Sequence, residues 1–477
     1  MERPLNRAFG SLATYPFVRL DEAKTAARAR GIKVIDFTIG DPHEETPSRI
    51  RERMLASVPA RSSYPPAAGT PALRRSIAGW IQRRFGAQVD PDREILPSNG
   101  SKEAVYLIHQ AVVDPFGERR VVLIPDPAYP VYEIAARFAG GEPVPVALDP
   151  KLGFLPDLDR LDPALLRRTA LLWINYPNNP TGAVATPDFY RRALALSREH
   201  GFWLASDEAY SEIYFDDPPP GALQFGREGL IVFNTLSKRS AMTGYRSGFI
   251  AGDSALIGAL RKVRPSQGVA TPTFIMEAAI EAWSDETHVA DQRRIYREKR
   301  EVLLPVLQRK GIEIGGSQAT FYLYVRAPGG QKSEEFATRL LERGSPSRPR
   351  TTSARPARAG RGSRWCPHWP SAWKPPTSWR TFSDGRRLRT PHLAGRSQRH
   401  RGRLERPRPP RQSADPRGRA QHHRRARSRP RARGGSGTEP VRSLDGARLG
   451  QDGDPPLLRL ARDGGDDPRP LPLPGQD

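Results

Sequence analysis

The sequence predicts an α/β fold built on a mostly parallel sheet. Segments of helical periodicity separate apolar runs of strand length; the runs lie near residues 121–125, 170–175, 203–207 and 230–233, and the helical segments near 131–139 and 187–199. This alternation is typical of parallel strands joined by crossover helices. Polar residues follow the last two runs, and open α/β sheets bind ligands at the carboxyl ends of their strands. We therefore expect the functional site at that edge of the sheet.

The segments outside this alternation also carry local signals. Thr70 is a predicted N-cap and Pro71 a first helical residue, so a helix is expected to run to about Phe85. A short strand is predicted at 34–37, ahead of the turn signal at Gly40. Further helices are expected near 18–30, 254–262, 272–283, 286–310 and 333–343, with a strand at 319–325.

One lysine is the centre of the predicted site. Lys238 lies among the hydroxyl residues Thr235, Ser237 and Ser240, after the apolar run that ends at Phe233, and an arginine follows it eight residues later. An amine at such a strand end can bind a carbonyl group covalently. A solvated Lys-Arg pair on a loop is the alternative, and it is the commoner case for a lone lysine. The other stretches of the chain decide between the two.

Five further stretches share the order and spacing of one family. They are Tyr64 to Gly69, Asn99-Gly-Ser-Lys-Glu103, Pro127-Ala-Tyr129, Asn178-Asn-Pro-Thr-Gly182 and Ser206-Asp-Glu-Ala-Tyr210. With the lysine stretch they resemble the fold-type I pyridoxal-phosphate enzymes, and among them the class I/II aminotransferases, from about Pro16 to about Arg343. The resemblance implies a large domain with a mostly parallel sheet of the seven-stranded type, a smaller α/β domain, and pyridoxal 5′-phosphate as cofactor. It implies no metal site.

The resemblance assigns a role to each residue around the cofactor ring. Lys238 is expected to bind the cofactor covalently and then to move the proton of the substrate's α-carbon. Asp207 is expected to keep the ring nitrogen protonated, with a capping aspartate as the alternative. Tyr210 and Asn179 are expected to hydrogen-bond the phenolic oxygen, and Tyr129 to stack on the ring.

A second group is expected around the cofactor phosphate. Arg246 offers a planar bidentate partner, and the start of a helix offers backbone N–H groups. The expected set is Gly100, Ser101, Lys102, Thr235, Ser237 and Arg246. A glycine before a helix is common, so the Gly100 stretch alone would be weak evidence.

Two residues are expected at the rim of the site. In relatives the tyrosine that matches Tyr64 crosses a dimer interface to the partner's cofactor phosphate, so a homodimer is implied; an ordinary turn aromatic is the alternative. The loop at Gly40 closes over the substrate in the family, which makes Gly40 a candidate substrate-binding residue. The expected partners are a small amino acid and a 2-keto acid.

Charge is distributed unevenly along the 477 residues. Residues 345–477 carry 31 Lys+Arg against 11 Asp+Glu and supply +20 of the net charge of +24, almost entirely as arginine. The single cysteine, Cys366, excludes an internal disulfide framework and fits a reducing, cytoplasmic compartment. The N-terminus lacks a signal-peptide core, and no apolar run approaches the length of a membrane span, so no membrane partner is expected.

The arginine-rich tail is interpreted as the same gene read out of frame. Joining the third base of each codon to the first two of the next, residues 361–370 permit Arg-Val-Ala-Leu-Val-Pro-Thr-Leu-Ala, and the second Val, the second Leu and the last Ala are forced. The family binds the substrate's α-carboxylate with an arginine before such a strand, so the lost arginine would span Arg361 and Gly362. The alternative is a disordered basic extension that binds nucleic acid.

These observations predict four parts and a substrate class. The parts are an N-terminal arm with part of the small domain (1–40), the large domain (41–285), a linking helix with an incomplete small domain (286–344) and the tail (345–477). Three stretches, at 99–103, 236–240 and 292–297, are most similar to N-succinyldiaminopimelate aminotransferases of lysine biosynthesis, with glutamate as the expected donor. Aspartate, alanine or LL-diaminopimelate aminotransferases, and a β-lyase or decarboxylase, remain alternatives.

Overall fold

The computed structural model describes residues 3, 5–11, 16–38, 40–343 and 365–366, all within the first of two compact units, Met1–Leu388. An eight-stranded sheet runs through this part in the order β1-β8-β7-β6-β5-β2-β3-β4. Its strands are β1 (Ile95–Ser98), β2 (Val121–Asp126), β3 (Glu142–Asp149), β4 (Leu155–Pro156), β5 (Thr169–Asn175), β6 (Trp203–Asp207), β7 (Leu230–Thr235) and β8 (Gly248–Gly252).

The predicted α/β class with a mostly parallel sheet is confirmed. β3, β2, β5, β6 and β7 pair in parallel, whereas β8 is antiparallel to both β7 and β1, and β4 is antiparallel to β3. The strand beyond the expected seven is β4, which has two residues and lies at the sheet edge. Parallel sheets need covered faces, and every residue of β5 and β7 is buried.

Helices cover both faces of this sheet. The helices of the described ranges, not all of which lie on this sheet, are α1 (Pro16–Ala29), α2 (Ser48–Ala56), α3 (Pro71–Phe85), α4 (Ser101–Val112), α5 (Val131–Phe138), α6 (Pro163–Arg167), α7 (Pro187–His200), α8 (Leu236–Arg239), α9 (Ser254–Val263), α10 (Thr273–Ser284), α11 (Thr287–Arg309) and α12 (Ser333–Glu342). Successive side chains of β5 enter opposite apolar clusters: Leu172 packs with α3, α7 and α10, whereas Trp173 packs with α4, α5 and α9. In the described ranges, no helix combines the length and apolarity that crossing a membrane requires.

The capping residues explain why the predicted helix α3 has the expected bounds. The Thr70 hydroxyl accepts a hydrogen bond from the Leu73 amide at 3.2 Å, and Pro71 occupies the first position of the helix. Gly86 ends the helix with φ of 67°, a left-handed conformation that glycine adopts without steric cost. Local chemistry therefore fixes both ends of this helix.

Two predicted strands differ from the structure. No strand forms at 34–37, because the Asp36 carboxylate accepts hydrogen bonds from the Thr38 amide and hydroxyl at 2.9 and 2.6 Å, and this side-chain turn replaces strand pairing. The strand expected at 319–325 is limited to β10 (Tyr324–Arg326), since Thr320 takes φ of 67°, which interrupts an extended backbone.

A second, three-stranded sheet contains β9 (Ile314–Gly315), β10 and β11 (Trp365–Cys366), with β10 in the centre. Both neighbours pair with β10 in antiparallel fashion. β11 is the described part of the tail. The predictions of an out-of-frame tail without a packed domain otherwise lie outside the described residues, and the four-part division of the chain stays a prediction.

Candidate active site

The carboxyl ends of three neighbouring strands bring the predicted catalytic residues together. Asp207, the last residue of β6, is in register with Asn175 at the end of β5 and with Phe233 on β7. β7 continues through Thr235 into the short helix α8, which carries Lys238. The parallel register therefore places the aspartate and the lysine at the same edge of the sheet, as the sequence predicts for ligand binding.

Asp207 is buried, and each of its carboxylate oxygens has a donor. The Tyr132 hydroxyl donates to Oδ2 at 2.8 Å and the Ala209 amide to Oδ1 at 3.2 Å. The Asn175 side chain donates to the Asp207 carbonyl oxygen at 2.8 Å. Burial raises the pKa of Asp207, and the two donors act in the opposite direction. We call Asp207, Tyr132 and Asn175 the buried end of the site.

Lys238 is half-buried next to the loop at Gly40. Its Nζ donates to the Gly40 carbonyl oxygen at 2.6 Å and lies 5.6 Å from the centroid of the Phe321 ring. The pKa of Lys238 is lowered to about 8, mainly by burial; Asp41 acts to raise it, and the positive charges of Lys102 and Arg246 act to lower it. An amine with this pKa is partly neutral at physiological pH and can act as a nucleophile.

Aromatic residues lie near both the lysine and the aspartate: Phe321 beside Lys238, and Tyr132 beside Asp207. The hydroxyl oxygen of the buried Tyr210 lies 2.7 Å from that of Tyr322. Burial raises the pKa of Tyr210, with additional effects of Tyr322 and Asp207. Tyr129 meets Tyr132 edge to face at 5.7 Å, and the Asn179 amide donates to the Asn175 side chain at 2.9 Å.

The other end of the site is less buried: Arg246 is exposed and Ser101 is half-buried, although Gly100 is buried. Helix α4 begins at Ser101 after Gly100, with no side chain capping it. The exposed Arg246 lies beside this helix start and donates to the Asn99 carbonyl oxygen at 3.2 Å. Gly100 has φ of 75°, a conformation that favours glycine, and a Cβ atom there would lie 2.6 Å from a guanidinium nitrogen of Arg246. We call Gly100, Ser101 and Arg246 the open end.

Hydroxyl groups and a cavity adjoin the open end. Thr235 Oγ1 lies 2.9 Å from Ser237 Oγ and 3.0 Å from the Ser247 carbonyl oxygen. The cavity has a volume of about 470 Å³ and is lined by Asn99, Lys102, Glu103, Tyr106, Leu107, Val131, Ile134, Arg246 and Val269. Lys102 Nζ lies 5.9 Å from the centroid of the Tyr129 ring. The cationic side chain of Lys102 therefore lies in the wall of this cavity, which Arg246 also lines, and close to the Tyr129 ring.

Gly40 and Tyr64, the two residues predicted at the rim of the site, lie in different surroundings. A Cβ atom at Gly40 would lie 2.2 Å from the Tyr322 hydroxyl, so glycine lets the loop approach the site closely. Tyr64 is fully exposed, and within one chain it does not join the other predicted residues. Its predicted contact with a second subunit stays a prediction.

Comparison with known proteins identifies the family. Residues 32–354 match the family described as aminotransferase class I and II. The chain belongs to this family. It is 39% identical over 339 residues to an LL-diaminopimelate aminotransferase of Desulforudis audaxviator, a match that covers 70% of this chain and 86% of that relative. An LL-diaminopimelate aminotransferase of Aquifex aeolicus is also 39% identical, over 69% of this chain and 86% of the relative.

Solved structures of aminotransferases share the fold. An aminotransferase of Neisseria meningitidis is 37% identical with a TM-score of 0.66, over 71% of this chain and 88% of that chain. A probable N-succinyldiaminopimelate aminotransferase of Thermus thermophilus is 31% identical with a TM-score of 0.65, over 69% and 89%. The protein is therefore a pyridoxal-phosphate-dependent aminotransferase that acts on small molecules.

The side chains present fit the cofactor of this family. The buried carboxylate of Asp207 would meet the ring nitrogen, and the Lys238 amine, with its lowered pKa, would meet the aldehyde carbon. The uncapped start of α4 and the Arg246 guanidinium would meet the phosphate. The negative charge of Asp207 thus suits a protonated ring nitrogen, the positive charge of Arg246 suits a phosphate, and the Lys238 amine is the third group.

Several contacts were not predicted from the sequence. Tyr132 follows Tyr129 by three residues, and helical spacing on α5 could have indicated it. Asn175 is the last residue of a predicted strand, a position that could also have been noticed. Phe321 and Tyr322 reach Lys238 and Tyr210 from a segment more than 80 residues away, and no local pattern indicates such a contact.

Proposed function

We propose that this aminotransferase moves an amino group between a glutamate-type donor and a 2-keto acid of the diaminopimelate skeleton. The observation that carries the proposal is the ammonium of Lys102, which lines the cavity beside Arg246 and lies within 6 Å of the Tyr129 ring centroid. A cation there suits a substrate with a second, distal carboxylate. The names of the relatives from Desulforudis audaxviator and Thermus thermophilus support the same class.

Within this proposal each residue acts on a stated atom. The bound cofactor supplies the electron sink that amino-acid side chains lack. Asp207 holds the proton on the ring nitrogen, and its burial strengthens that interaction. Lys238 Nζ would hold the cofactor covalently in the resting enzyme and would act as the base for the proton of the substrate's α-carbon. The Phe321 ring lies beside this amine and would limit the access of water, and the neighbouring Tyr322 contacts Tyr210.

Two substrates of this skeleton are the candidates. The relatives from Desulforudis audaxviator and Aquifex aeolicus, both LL-diaminopimelate aminotransferases by name, favour LL-diaminopimelate. The far tail favours the N-succinylated compound: residues 449–460, read from the second base of each codon, permit Trp-Val-Lys-Thr-Ala-Ile-Leu-Leu-Tyr-Phe-Ala, with lysine or arginine as the two options at the third position. That pattern resembles a segment of tetrahydrodipicolinate succinyltransferases, the enzymes that make the precursor of the N-succinylated substrate. We favour LL-diaminopimelate, because its support comes from most of the chain.

The test compares four amino donors with 2-oxoglutarate as acceptor: LL-diaminopimelate, N-succinyl-LL-diaminopimelate, aspartate and alanine. It uses the full chain and a version whose frame is restored after Gly344. Without the shifted arginine, the full chain is expected to be nearly inactive, because a bidentate carboxylate partner contributes a few kcal/mol, roughly 100-fold or more in rate. Equal activity of both versions would contradict the frame interpretation.

The Lys102→Met variant tests whether Lys102 selects substrates that carry a distal carboxylate. In the frame-restored enzyme, we expect kcat/KM to fall about tenfold for donors with a distal carboxylate and to stay unchanged for alanine, which has none. A preference for aspartate or alanine over both diaminopimelates would move the enzyme to the general aminotransferases.

We also propose a homodimer in which Tyr64 serves the partner's site, because its side chain is fully exposed. Co-expression of Lys238→Ala and Tyr64→Ala chains tests it in the frame-restored enzyme. A mixed dimer would hold one site with both residues intact, so activity above that of either parent is expected. No recovery in a mixture shown to contain mixed dimers would refute the role of Tyr64.

A further inference from the structure

Tyr132 is the side-chain donor to the Asp207 carboxylate. Its hydroxyl lies 2.8 Å from Asp207 Oδ2, and both residues are buried. The other donor to this carboxylate, the Ala209 amide, belongs to the backbone and cannot be removed by substitution. Tyr132 is therefore the position at which a side chain of α5 reaches the buried end of the site.

A chain of buried contacts keeps Tyr132 in place. Its ring stacks on the Trp173 indole at 4.4 Å with an interplanar angle of 16°. Trp173 Nε1 lies 3.1 Å from His109 Nε2, and His109 Nδ1 lies 3.0 Å from the Val105 carbonyl oxygen. The Tyr132 ring is thus held by an indole that is itself held by a histidine.

The tautomer of His109 follows from its two partners. An indole N–H can only donate, so Nε2 must accept; a carbonyl can only accept, so Nδ1 must carry the proton. His109 is therefore neutral, and burial lowers its pKa to about 4. This neutral relay adds no charge behind the Tyr132–Asp207 pair, so the tyrosine hydroxyl can serve the carboxylate as a donor without competition from a buried cation.

We infer that Tyr132 is a positioning residue: its hydroxyl holds the Asp207 carboxylate in one orientation and in its ionised form. The inference rests on the proposed role of Asp207 toward the ring nitrogen. A carboxylate that took up a proton could no longer pair with a protonated ring, so the donor of α5 would maintain the charge on which the reaction depends.

Burial disfavours the ionised form of Asp207, whereas the hydrogen bonds from Tyr132 and the Ala209 amide favour it. Burial raises the pKa of Asp207, and Glu208 is the nearest second carboxylate. Tyr210 also interacts with Asp207 and carries no positive charge. The hydrogen bond from Tyr132 stabilises the anion, so its removal must raise the pKa of the carboxyl group.

The test measures the protonation of Asp207 directly in the cofactor-free full chain. Aspartate carboxyl carbons are labelled with ¹³C, so that Glu208 does not contribute, and the infrared band of the protonated acid is followed against pH. Asp207→Asn identifies the band. Tyr132→Phe is expected to raise its midpoint by about one to two units, since a hydrogen bond to a charged group is of that size.

Tyr176→Phe is the matched control. Tyr176 is equally buried and donates to the Phe154 carbonyl oxygen at 2.8 Å, in the core cluster that also contains α3 and α7. It should leave the midpoint unchanged at a similar loss of stability. An unmoved midpoint in Tyr132→Phe, or the same shift in both variants, would overturn the inference.

A second arm keeps the test decisive if Tyr132→Phe does not fold. Replacement of Tyr132 alone by 3-fluorotyrosine gives a nearly isosteric, more acidic donor, and the midpoint is expected to fall; a rise or no change would contradict us. Cofactor binding separates this inference from the proposed function. If Asp207→Asn binds the cofactor and exchanges the α-proton normally, the role of Asp207 fails even where the Tyr132 shift is found.

Discussion

The buried end and the open end of the site differ in how deeply their side chains are buried and in which hydrogen-bond partners they have. At the buried end, Asp207 has donors on both carboxylate oxygens, and Tyr132 and Asn175 are themselves buried. At the open end, Arg246 is exposed, and the start of α4 has no side-chain cap. The difference indicates that a ring nitrogen would meet a buried partner, whereas a phosphate would meet an exposed guanidinium and an uncapped helix start, beside the hydrogen-bonded Thr235 and Ser237.

Because the two ends differ in burial, substitutions at each end are expected to have different energetic consequences. A buried charge or donor that loses its partner bears a desolvation cost, while an exposed one is compensated by water. Substitutions at the buried end should therefore change both stability and chemistry. Substitutions at the open end should mainly change the affinity for the cofactor.

The largest expected effect is that of Lys238→Ala, because this amine is expected both to bind the cofactor covalently and to transfer the proton. Turnover of the frame-restored enzyme should fall by at least roughly four orders of magnitude, since a positioned base alone contributes about 10²- to 10⁴-fold and the covalent anchor is lost as well. In the full chain, borohydride reduction of the cofactor-loaded protein followed by peptide mapping should label Lys238. A label on Lys102 or another lysine would contradict the assignment.

Asp207→Asn should have the next largest effect and tests the buried end. Cofactor should still bind, but α-proton exchange of an amino acid in D₂O should slow by several orders of magnitude, each factor of ten corresponding to about 1.4 kcal/mol. NMR of the substrate measures this in the frame-restored enzyme, and it needs no acceptor.

Glu208→Gln is the control for that change. Glu208 is the adjacent buried carboxylate, but it accepts from the Ser206 hydroxyl at 2.9 Å and the Ala222 amide at 2.8 Å. Its replacement should lower stability and leave α-proton exchange nearly unchanged. Exchange that is as slow in Glu208→Gln as in Asp207→Asn would mean that damage to the core, not the ring-nitrogen contact, explains both.

Arg246→Lys tests the open end and should have a smaller effect. The charge is kept while the planar fork is lost, so the dissociation constant for the cofactor should rise about 10- to 100-fold with little change in the melting temperature. Fluorescence titration of the full chain measures the affinity. A large loss of stability instead would show that this end is also part of the packed core, and the comparison of the two ends would fail.

The sequence indicated individual residues at both ends of the site, such as Asp207 and Arg246, but not the contacts between distant segments. Gly100 and Ser101 lie in one short stretch at a helix start, where spacing carries the signal, whereas Arg246 reaches Asn99 across 147 residues. The buried end depends on tertiary contact: Tyr132 reaches Asp207 across 75 residues, and Tyr322 reaches Tyr210 across 112. Periodicity gives the faces of helices and strands, but it does not give the pairing of side chains between distant elements.

The same limit explains the differences in the fold. The sheet and most helices were predictable because buried parallel strands are continuous apolar runs and caps such as Thr70 act locally. The strand expected at 34–37 was wrong because the Asp36 side chain bonds to the Thr38 backbone, a competition that an apolar pattern does not reveal.

The smallest expected effect concerns the pH dependence of cofactor loading, which tests how the open end acts on Lys238. Only the neutral amine attacks the aldehyde, and the pKa of Lys238 is lowered to about 8 by burial, with Lys102 and Arg246 lowering it and Asp41 raising it. The loading rate of the cofactor-free full chain, followed by visible absorbance, should therefore rise with pH and level off above about 8.

Two substitutions of opposite sign decide whether these charges are responsible. Lys102→Met removes a cation that disfavours protonation of Lys238, so the pKa and the midpoint should move up; Asp41→Asn removes an anion that favours it, so both should move down. The shifts should be roughly a few tenths of a pH unit, because both side chains are exposed, and they should shrink at 1 M salt, where the Debye length is about 3 Å. Shifts of the same sign, or shifts unaffected by salt, would mean that burial and local structure alone set the pKa of Lys238, and that the open end acts on the cofactor without acting on the amine.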